Sequence, residues 1–201
     1  MLKLGLTGSI AVGKSFVCEV LRELGCHVLD ADLTAREVVA KGTAGLAEIV
    51  KHFGYEVLQT DGELDRKKLG GIVFADKEKR ELLNSIVHPR VIESQDKWIG
   101  DVASADPDSI AVIDAALMIE SGGYLRFNKI VVVWCEPAIQ LRRLMERENL
   151  SEDAAKMRIA AQMSQDEKKR LADYLIDTST GFDDTRQQVE KLVGQFRKAS
   201  S

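Results

Sequence analysis

The 201-residue chain is long enough for one compact domain, and its 45% hydrophobic and 30% charged residues exclude a disordered, collagen-like or disulfide-framework protein. Its 28 lysines and arginines are outnumbered by 32 aspartates and glutamates, which gives a formal net charge of −4. This balance excludes a general basic surface for nucleic acid or for an anionic membrane, so we expect neither partner.

A strand, a loop and a helix are predicted at the start of the chain. Residues 2–6 form a nearly continuous apolar run of strand length, which is typical of a strand covered by helices on both faces. Apolar residues from Val17 to Leu24 recur at helical spacing, and Gly25 stands where a helix often ends.

The loop between them, residues 8–15, has the sequence GSIAVGKS and matches the phosphate-loop pattern G-x-x-x-x-G-K-[ST]. Backbone N–H groups of such a loop cradle phosphate oxygens, helped by the positive end of the following helix. The Lys14 ammonium can reach the β and γ phosphates, and the Ser15 hydroxyl can coordinate Mg²⁺. The pattern predicts a nucleoside triphosphate with magnesium. The residues expected at the nucleotide are Gly8, Ala11, Val12, Gly13, Lys14, Ser15 and Phe16.

A weaker strand candidate, residues 28–29, is followed by Asp30-Ala31-Asp32. Ligands bind at the carboxyl ends of strands in open α/β sheets, and alternate residues of an extended stretch point to the same side. We therefore expect both carboxylates near the phosphate loop, where one accepts a hydroxyl proton and the other orients the acceptor or holds Mg²⁺ water. The alternative is that Asp32 caps a helix beginning near Thr34, and the two roles can coexist.

The segment of residues 33–105 is predicted to be mainly helical, with a turn at Asp61-Gly62 and no strand that would join the sheet. We interpret it as an inserted helical lobe. Within it, Pro89 favours an extended His88 and a helix that begins after it. A lone histidine of this kind is commonly a packed or capping residue.

Three more strands are predicted in the second half of the chain. Residues 110–113 and 130–134 are apolar runs, and residues 174–176 form a weaker candidate. Asp114 ends the first of these runs and is a candidate for an acid of the Walker B kind. A last helix, residues 183–198, is apolar on one face and should pack on the sheet.

Two helices are predicted after the strand at residues 130–134, one running from Pro137 to Arg147 and one capped by Ser151. Four arginines crowd this part of an acidic chain: Arg142, Arg143, Arg147 and Arg158. We interpret the segment as a mobile flap over a phosphate. The alternative is a solvated helix face in which the arginines pair with Glu146, Glu148 and Glu152.

Taken together in order and spacing, these segments resemble the dephospho-coenzyme A kinase family, a P-loop kinase family of the nucleoside monophosphate kinase-like group. The matching segments are residues 6–8 with 13–15, 29–32 with 35–39, 73–75, 83–84 with 86–89, 117–120, 140–141 with Arg143 and Arg147, 161–163, and 172–177. The likeness runs nearly end to end. Only the phosphate loop is decisive by itself.

The resemblance implies an α/β, three-layer P-loop kinase fold with a five-stranded parallel sheet, a helical acceptor-binding insert and a helical lid. The whole chain, residues 1–201, would form one domain, with the insert at about residues 33–105 and the lid at about 138–165. The implied reaction transfers the γ-phosphoryl group of ATP to the ribose 3′-hydroxyl of dephospho-coenzyme A. Its products are coenzyme A and ADP, and it is the last step of coenzyme A synthesis.

The same resemblance assigns roles to individual side chains. Asp32 matches the catalytic base, Lys14 the phosphate-loop lysine, and Arg143 an arginine that reaches the transferring phosphoryl group. Arg147 matches a second lid arginine at the nucleotide. The residues expected to contact the acceptor are Asp32, Arg36, His88, Leu117 and Glu120.

This sequence departs from the usual pattern of the family at several positions. Ser9, Ala11 and Val12 stand where members often carry glycine, glycine and serine. Ala116 replaces a common proline, and Thr178 replaces a frequent asparagine in a loop that borders the adenine. Two other classes stay open on the residues alone: a P-loop kinase for another small acceptor, and a nucleotide switch, which would want an Asn-Lys-x-Asp motif that this sequence lacks.

The three cysteines, Cys18, Cys26 and Cys135, form no Cys-x-x-Cys pair and are most simply buried small hydrophobes. Their odd number suits a reducing compartment. The first residues lack the apolar region and cleavage site of a signal peptide, and no apolar run reaches membrane length. We therefore expect a cytoplasmic protein.

Overall fold

Five strands form one sheet, in the order β2-β3-β1-β4-β5. They are β1 (Leu2–Thr7), β2 (His27–Asp30), β3 (Ile110–Asp114), β4 (Lys129–Trp134) and β5 (Tyr174–Asp177). β1 pairs in parallel with β3 and β4, and β4 pairs in parallel with β5. The predicted five-stranded parallel sheet is confirmed, including both of its weaker strands.

Most of the α-helices lie between β2 and β3 or between β4 and β5. The α-helices are α1 (Lys14–Glu23), α2 (Ala31–Glu37), α3 (Ala44–Phe53), α4 (Arg66–Ala75), α5 (Lys77–Ala105), α6 (Pro137–Glu148), α7 (Glu152–Ala160), α8 (Gln165–Arg170) and α9 (Phe182–Ala199). This computed structural model describes residues 1–199. Within that range, no helix combines the length and the apolar character needed to cross a membrane.

The chain divides into two compact units, here called the sheet unit and the helical unit. The sheet unit comprises residues 1–29 and the described residues from 102 onward, and the helical unit is Asp30–Asp101. Each has its own hydrophobic core. The insert expected at residues 33–105 corresponds in position to the helical unit.

The core of the sheet unit lies between the central strands and the helices α1 and α9. All five residues of β3 are buried, as are Leu4 and Leu6 of β1. Val17 of α1 and Val189 of α9 pack into the same cluster of buried side chains. Because helices cover these strands, their sequences are nearly continuous apolar runs.

Local sequence signals account for several helix ends in the sheet unit. The Ser151 side chain accepts a hydrogen bond from the Ala154 N–H and caps α7, as predicted. Ser164 and Glu167 form a reciprocal capping box at the start of α8. Gly25, at φ 78°, follows the end of α1 in a conformation that favours glycine.

The helical unit is built around a second buried cluster: Val39, Leu46, Ile49, Phe53, Val57, Leu64, Leu69 and Ile86. Apart from Asp30, the last residue of β2, the described residues of this unit form no strand of the sheet, and Leu58 and Leu64 form an isolated bridge. The turn predicted at Asp61-Gly62 is present, with Gly62 at φ 84°.

The prediction that Pro89 begins a helix is wrong, because His88 and Pro89 both lie inside the 29-residue helix α5. A proline in a helix interior costs about 3 kcal/mol through a lost hydrogen bond and a clash with the preceding turn, and burial can outweigh that loss. Ile86, one turn earlier, is buried in the core of the helical unit. The Arg90 side chain also donates to the Ile86 carbonyl at 2.6 Å, which adds a bond near the interruption.

The expected extended geometry of Asp30-Ala31-Asp32 is also wrong, because α2 begins at Ala31. Asp30 is the N-cap, and its carboxylate accepts hydrogen bonds from the N–H groups of Asp32 and Leu33 at 2.8 and 3.1 Å. The proposed capping by Asp32 is thus performed by Asp30, two residues earlier. Asp32 lies in the first turn of the helix. The two side chains are therefore not related in the way that alternate residues of a strand would be.

Candidate active site

The phosphate loop joins β1 to α1, the context that its sequence pattern requires. A Cβ atom on Gly8 would lie 2.6 Å from the Val133 carbonyl oxygen, so a larger residue could not fit there. Gly13 has φ 86° and directly precedes the helix. Ala11 has φ 61°, a left-handed conformation that is strained for a residue with a Cβ atom.

Lys14, the first residue of α1, forms an ion pair with Asp114 at the end of β3. The pair is largely buried, with exposed side-chain fractions of 18% and 11%. β3 neighbours β1 in the sheet, so the register brings the end of β3 to the loop. An ammonium held at this point is placed to neutralise phosphate charge when a nucleotide replaces the carboxylate as its partner.

Cys18 also contacts the carboxylate of this pair. Its thiol donates to Asp114 Oδ2 at 3.2 Å, while Oδ1 faces Lys14. Burial of the thiol and the neighbouring Asp114 carboxylate raise the pKa of Cys18 to about 12. The thiol is therefore a protonated donor at neutral pH, and the sequence analysis, which treated Cys18 as a small hydrophobe, missed this contact.

The oxygen ligands at the loop fit magnesium. Ser15 is exposed at the start of α1, and the Asp114 carboxylate ends the neighbouring strand. Mg²⁺ takes such oxygen ligands in small number from the protein and completes its shell with phosphate oxygens and water. Ser15, with Asp114, is thus chemically suited to a nucleotide-bound Mg²⁺.

A cavity of about 250 Å³ opens beside the loop. Its lining residues are Ala11, Gly13, Phe16, Arg143, Arg147, Thr178, Gly181, Phe182 and Thr185. The Phe16 and Phe182 rings lie 4.7 Å apart between centroids. Flat aromatic faces beside a phosphate loop offer a stacking surface to a nucleobase.

Arg143 of α6 is fixed in this cavity wall. Its guanidinium donates to Thr178 Oγ1 at 2.9 Å and to the Thr178 carbonyl at 2.8 Å. The Thr178 hydroxyl in turn donates to the Val12 carbonyl at 2.7 Å, which ties the loop after β5 to the phosphate loop. The adjacent Arg142 is exposed and is not among the lining residues, so helical phase points Arg143 toward the cavity.

The other flap arginines show that the solvated alternative was partly correct. Arg147 donates to Glu148 at 2.8 Å, and Arg158 also pairs with Glu148. Arg147 nevertheless lines the cavity, whereas Arg158 does not appear in its wall. The predicted flap therefore combines cavity-facing and surface-paired arginines.

A buried lysine that the sequence analysis did not single out organises the turn after β3. Lys168 of α8 has a fully buried side chain that donates to the Ala116 carbonyl and pairs with Glu120, both at 2.8 Å. Thr7, at the end of β1, donates to the same carbonyl at 3.1 Å. Glu120 is thus occupied by Lys168, while Leu117 in the same turn is 54% exposed.

The remaining predicted acceptor residues belong to the helical unit. Asp32 and Arg36 lie on α2, His88 lies on α5, and all three are exposed. The Arg36 carbonyl accepts a hydrogen bond from the Arg66 side chain at 3.3 Å. A mainly apolar cavity of about 240 Å³ in this unit is also lined by Arg66.

The sheet order and the loop with its Lys14–Asp114 pair define a P-loop kinase fold. A shikimate kinase from Bacteroides thetaiotaomicron has this fold at a TM-score of 0.51 and 15% identity, over 96% of this chain and 98% of that one. The dephospho-CoA kinase family model matches residues 2–184. The chain belongs to the dephospho-CoA kinase family.

Individual relatives agree with this membership. The chain is 45% identical over 199 residues to a dephospho-CoA kinase of Listeria monocytogenes serotype 4b, covering 97% of each protein. A solved dephospho-CoA kinase from Campylobacter jejuni is 29% identical, with a TM-score of 0.75 over 99% of this chain and 98% of that one. The likeness stated from sequence motifs alone is thereby confirmed.

Proposed function

We propose that the chain transfers the γ-phosphoryl group of ATP to the ribose 3′-hydroxyl of dephospho-coenzyme A, which yields coenzyme A and ADP. The observation that carries this function is a phosphate loop with Lys14 held against Asp114, in a chain that its family model spans almost entirely. The chain is accordingly a phosphotransferase with an alcohol group as acceptor.

We assign the nucleotide to the sheet unit. Backbone N–H groups of the phosphate loop and the Lys14 ammonium would hold the β and γ phosphates, and the base would stack in the cavity beside Phe16. Ser15 and Asp114 would hold Mg²⁺, which supplies charge neutralisation for the phosphates when bound. The Arg143 fork would donate to the transferring group, exchanging its Thr178 contacts for phosphoryl oxygens.

We assign the acceptor to the helical unit. Asp32 accepts the proton of the 3′-hydroxyl as the new bond forms, a role that an exposed carboxylate can fill late in the reaction. Arg36 and His88 contact the acceptor, and His88 transfers no proton. The apolar cavity with Arg66 suits an acceptor that combines an extended arm with phosphate groups.

We also place the reaction in a reducing cytoplasm. Cys18, Cys26 and Cys135 are all buried, unpaired thiols, and a chain with this cysteine usage is typical of such a compartment.

The decisive experiment incubates the purified chain with Mg-ATP and dephospho-coenzyme A and identifies the product by mass spectrometry. We expect one added phosphate on the ribose 3′-oxygen. Parallel reactions replace dephospho-coenzyme A with AMP, a nucleoside monophosphate, or with shikimate, and so test other small acceptors. Lys14→Ala is the inactive control. Phosphorylation of AMP or shikimate in place of dephospho-coenzyme A would contradict the proposed acceptor.

A further inference from the structure

The backbone of Ile10, in the phosphate loop, is held on both sides by glutamine side chains. Its N–H donates to Gln162 Oε1 at 2.8 Å, and its carbonyl accepts from Gln140 Nε2 at 2.8 Å. Gln140 lies on α6, and Gln162 lies between α7 and α8. Both glutamines come from motifs that the sequence analysis quoted but to which it assigned no task.

The direction of every hydrogen bond in this arrangement is determined by the backbone groups at its ends. The Cys135 N–H donates to Gln165 Oε1 at 3.0 Å, which leaves Gln165 Nε2 to donate to Gln140 Oε1 at 2.8 Å. Gln140 Nε2 then donates to the Ile10 carbonyl. Gln140 is only 2% exposed, so the central amide of this chain is shielded from competition by water.

The residue that follows Ile10 needs such support. Ala11 is in the left-handed region, which an alanine occupies only where its surroundings over-determine the backbone. The segment that carries Gln162 makes a second contact with the loop, because the Ser9 hydroxyl donates to the Met163 carbonyl at 3.4 Å. The strained part of the loop therefore has fixed anchors immediately before it.

We propose that Gln140 and Gln162 are positioning residues that hold the phosphate loop in its phosphate-binding form. They act through Ile10 and Ala11, and they touch no phosphate themselves. Without them, Ala11 relaxes toward negative φ and turns the loop N–H groups away from the cradle. The proposal rests on the nucleotide site of the proposed function, but it does not depend on which acceptor is used.

A double-mutant cycle with Ala11→Gly tests this coupling, because glycine adopts positive φ without strain. The measurement is ADP affinity by titration calorimetry, with thermal unfolding recorded for every variant. We expect Gln162→Ala to weaken ADP binding about tenfold in the parent chain and only about twofold in the Ala11→Gly background. The reason is that removing the strain of a left-handed alanine should change ADP affinity about fivefold. Equal losses in both backgrounds would overturn the proposal.

A matched pair of charge variants tests the bond directions. Gln140→Glu and Gln162→Glu each add one carboxylate beside Ile10. A carboxylate can still accept from the Ile10 N–H, but it cannot donate to the Ile10 carbonyl. We therefore expect Gln140→Glu to weaken ADP binding at least about tenfold more than Gln162→Glu does.

Equal weakening by both glutamates would show that only the added charge acts, and would overturn the proposal. If Gln140→Glu does not fold, the cycle with Gln162→Ala decides by itself. ADP affinity is measured instead of turnover, so failure of the dephospho-coenzyme A assignment would leave these results intact. A parent chain that bound no ADP would overturn both the nucleotide site and the positioning role.

Discussion

The two units of the molecule present their candidate functional residues in opposite ways. In the sheet unit, the assigned side chains are fixed by other protein groups: Lys14 by Asp114, and Arg143 by Thr178. In the helical unit, Asp32, Arg36 and His88 lie on exposed helix positions. The candidate nucleotide residues are therefore held by contacts within the sheet unit, whereas the candidate acceptor residues are more open to solvent.

This difference follows from how each unit is built. Parallel strands direct their carboxyl ends to one edge of a sheet, so residues distant in sequence converge there on rigid elements. The helical unit buries its core between helices and leaves its polar side chains on outer faces. We therefore expect substitutions of exposed residues in the helical unit to change mainly catalysis, and substitutions in the sheet unit to change stability as well.

The largest effect on catalysis is expected in the helical unit. Asp32→Asn preserves the shape of the side chain but cannot accept the hydroxyl proton, so kcat should fall by about 10² to 10⁴. Because Asp30 rather than Asp32 caps α2, the melting temperature should change little. Steady-state rates and thermal unfolding check both expectations.

Asp30→Asn is the matched control, since an asparagine remains a good cap. It should retain most of the activity. A melting temperature that falls for Asp32→Asn while its folded enzyme keeps full kcat would show that Asp32 has a structural role in α2.

The next effect concerns stability of the sheet unit. Lys168→Met leaves Glu120 without its buried partner and the Ala116 carbonyl without one of its donors. Because Lys168 is fully buried while the Glu120 side chain is 22% exposed, we expect the unfolding free energy to fall by about 1 to 3 kcal/mol. Denaturant unfolding measures this loss.

Lys169→Met is a neighbouring control, because Lys169 pairs with the exposed Asp166 and should cost less than about 1 kcal/mol. The Lys168 result also bears on Glu120. If Glu120→Gln raised the KM for dephospho-coenzyme A without loss of stability, Glu120 would contact the acceptor instead of serving mainly as the counter-ion of Lys168.

A smaller effect, on turnover, is expected for Arg143→Lys. Lysine cannot reproduce the two parallel donors of the guanidinium, so kcat should fall about tenfold while ATP affinity changes less. Arg142→Lys, on the exposed neighbouring face, should be near neutral. If Arg142→Lys lowered kcat and Arg143→Lys did not, the assignment of Arg143 to the nucleotide site would be wrong.

Much of this organisation could be predicted because it depends on local patterns. The apolar runs gave the strands, and G-x-x-x-x-G-K-[ST] gave the loop with its flanking elements. One error arose where burial overrides local preference, for Pro89 inside α5, and another where Asp30 caps a helix that begins directly after β2. Lys168 could not be found from sequence, because a lysine in a polar, capped helix has no local mark of burial.

Polar networks were equally beyond prediction. Gln140, Gln162 and Gln165 are ordinary helix-compatible residues, and their hydrogen bonds exist only because the fold brings α6, α8 and the phosphate loop together. The two bonds to Ile10 join residues more than one hundred positions apart, the Gln165–Gln140 bond spans 25 positions, and no periodicity or spacing encodes any of them.

The smallest effect is a pH dependence confined to the sheet unit. The folded pKa of Cys18 is raised to about 12 from an ordinary value of 9.0, chiefly by burial. As pH rises above the ordinary value, the unfolded chain releases the thiol proton while the folded chain retains it, so stability falls with pH. The contribution is complete below the ordinary pKa and is lost as pH rises toward the folded one.

We therefore expect the unfolding free energy of the parent chain to decrease, relative to that of Cys18→Ser, by about 0.8 kcal/mol between about pH 8 and about pH 9.5. Serine keeps a donor for Asp114 but does not titrate in this range, and the raised pKa values of Cys26 and Cys135 affect both proteins equally. Urea unfolding at several pH values measures the difference. Parallel pH profiles for the two proteins would mean that the Cys18 thiol titrates normally in the folded chain. Its sulfur would then be deprotonated at the alkaline end of the range and would repel the Asp114 carboxylate instead of donating to it.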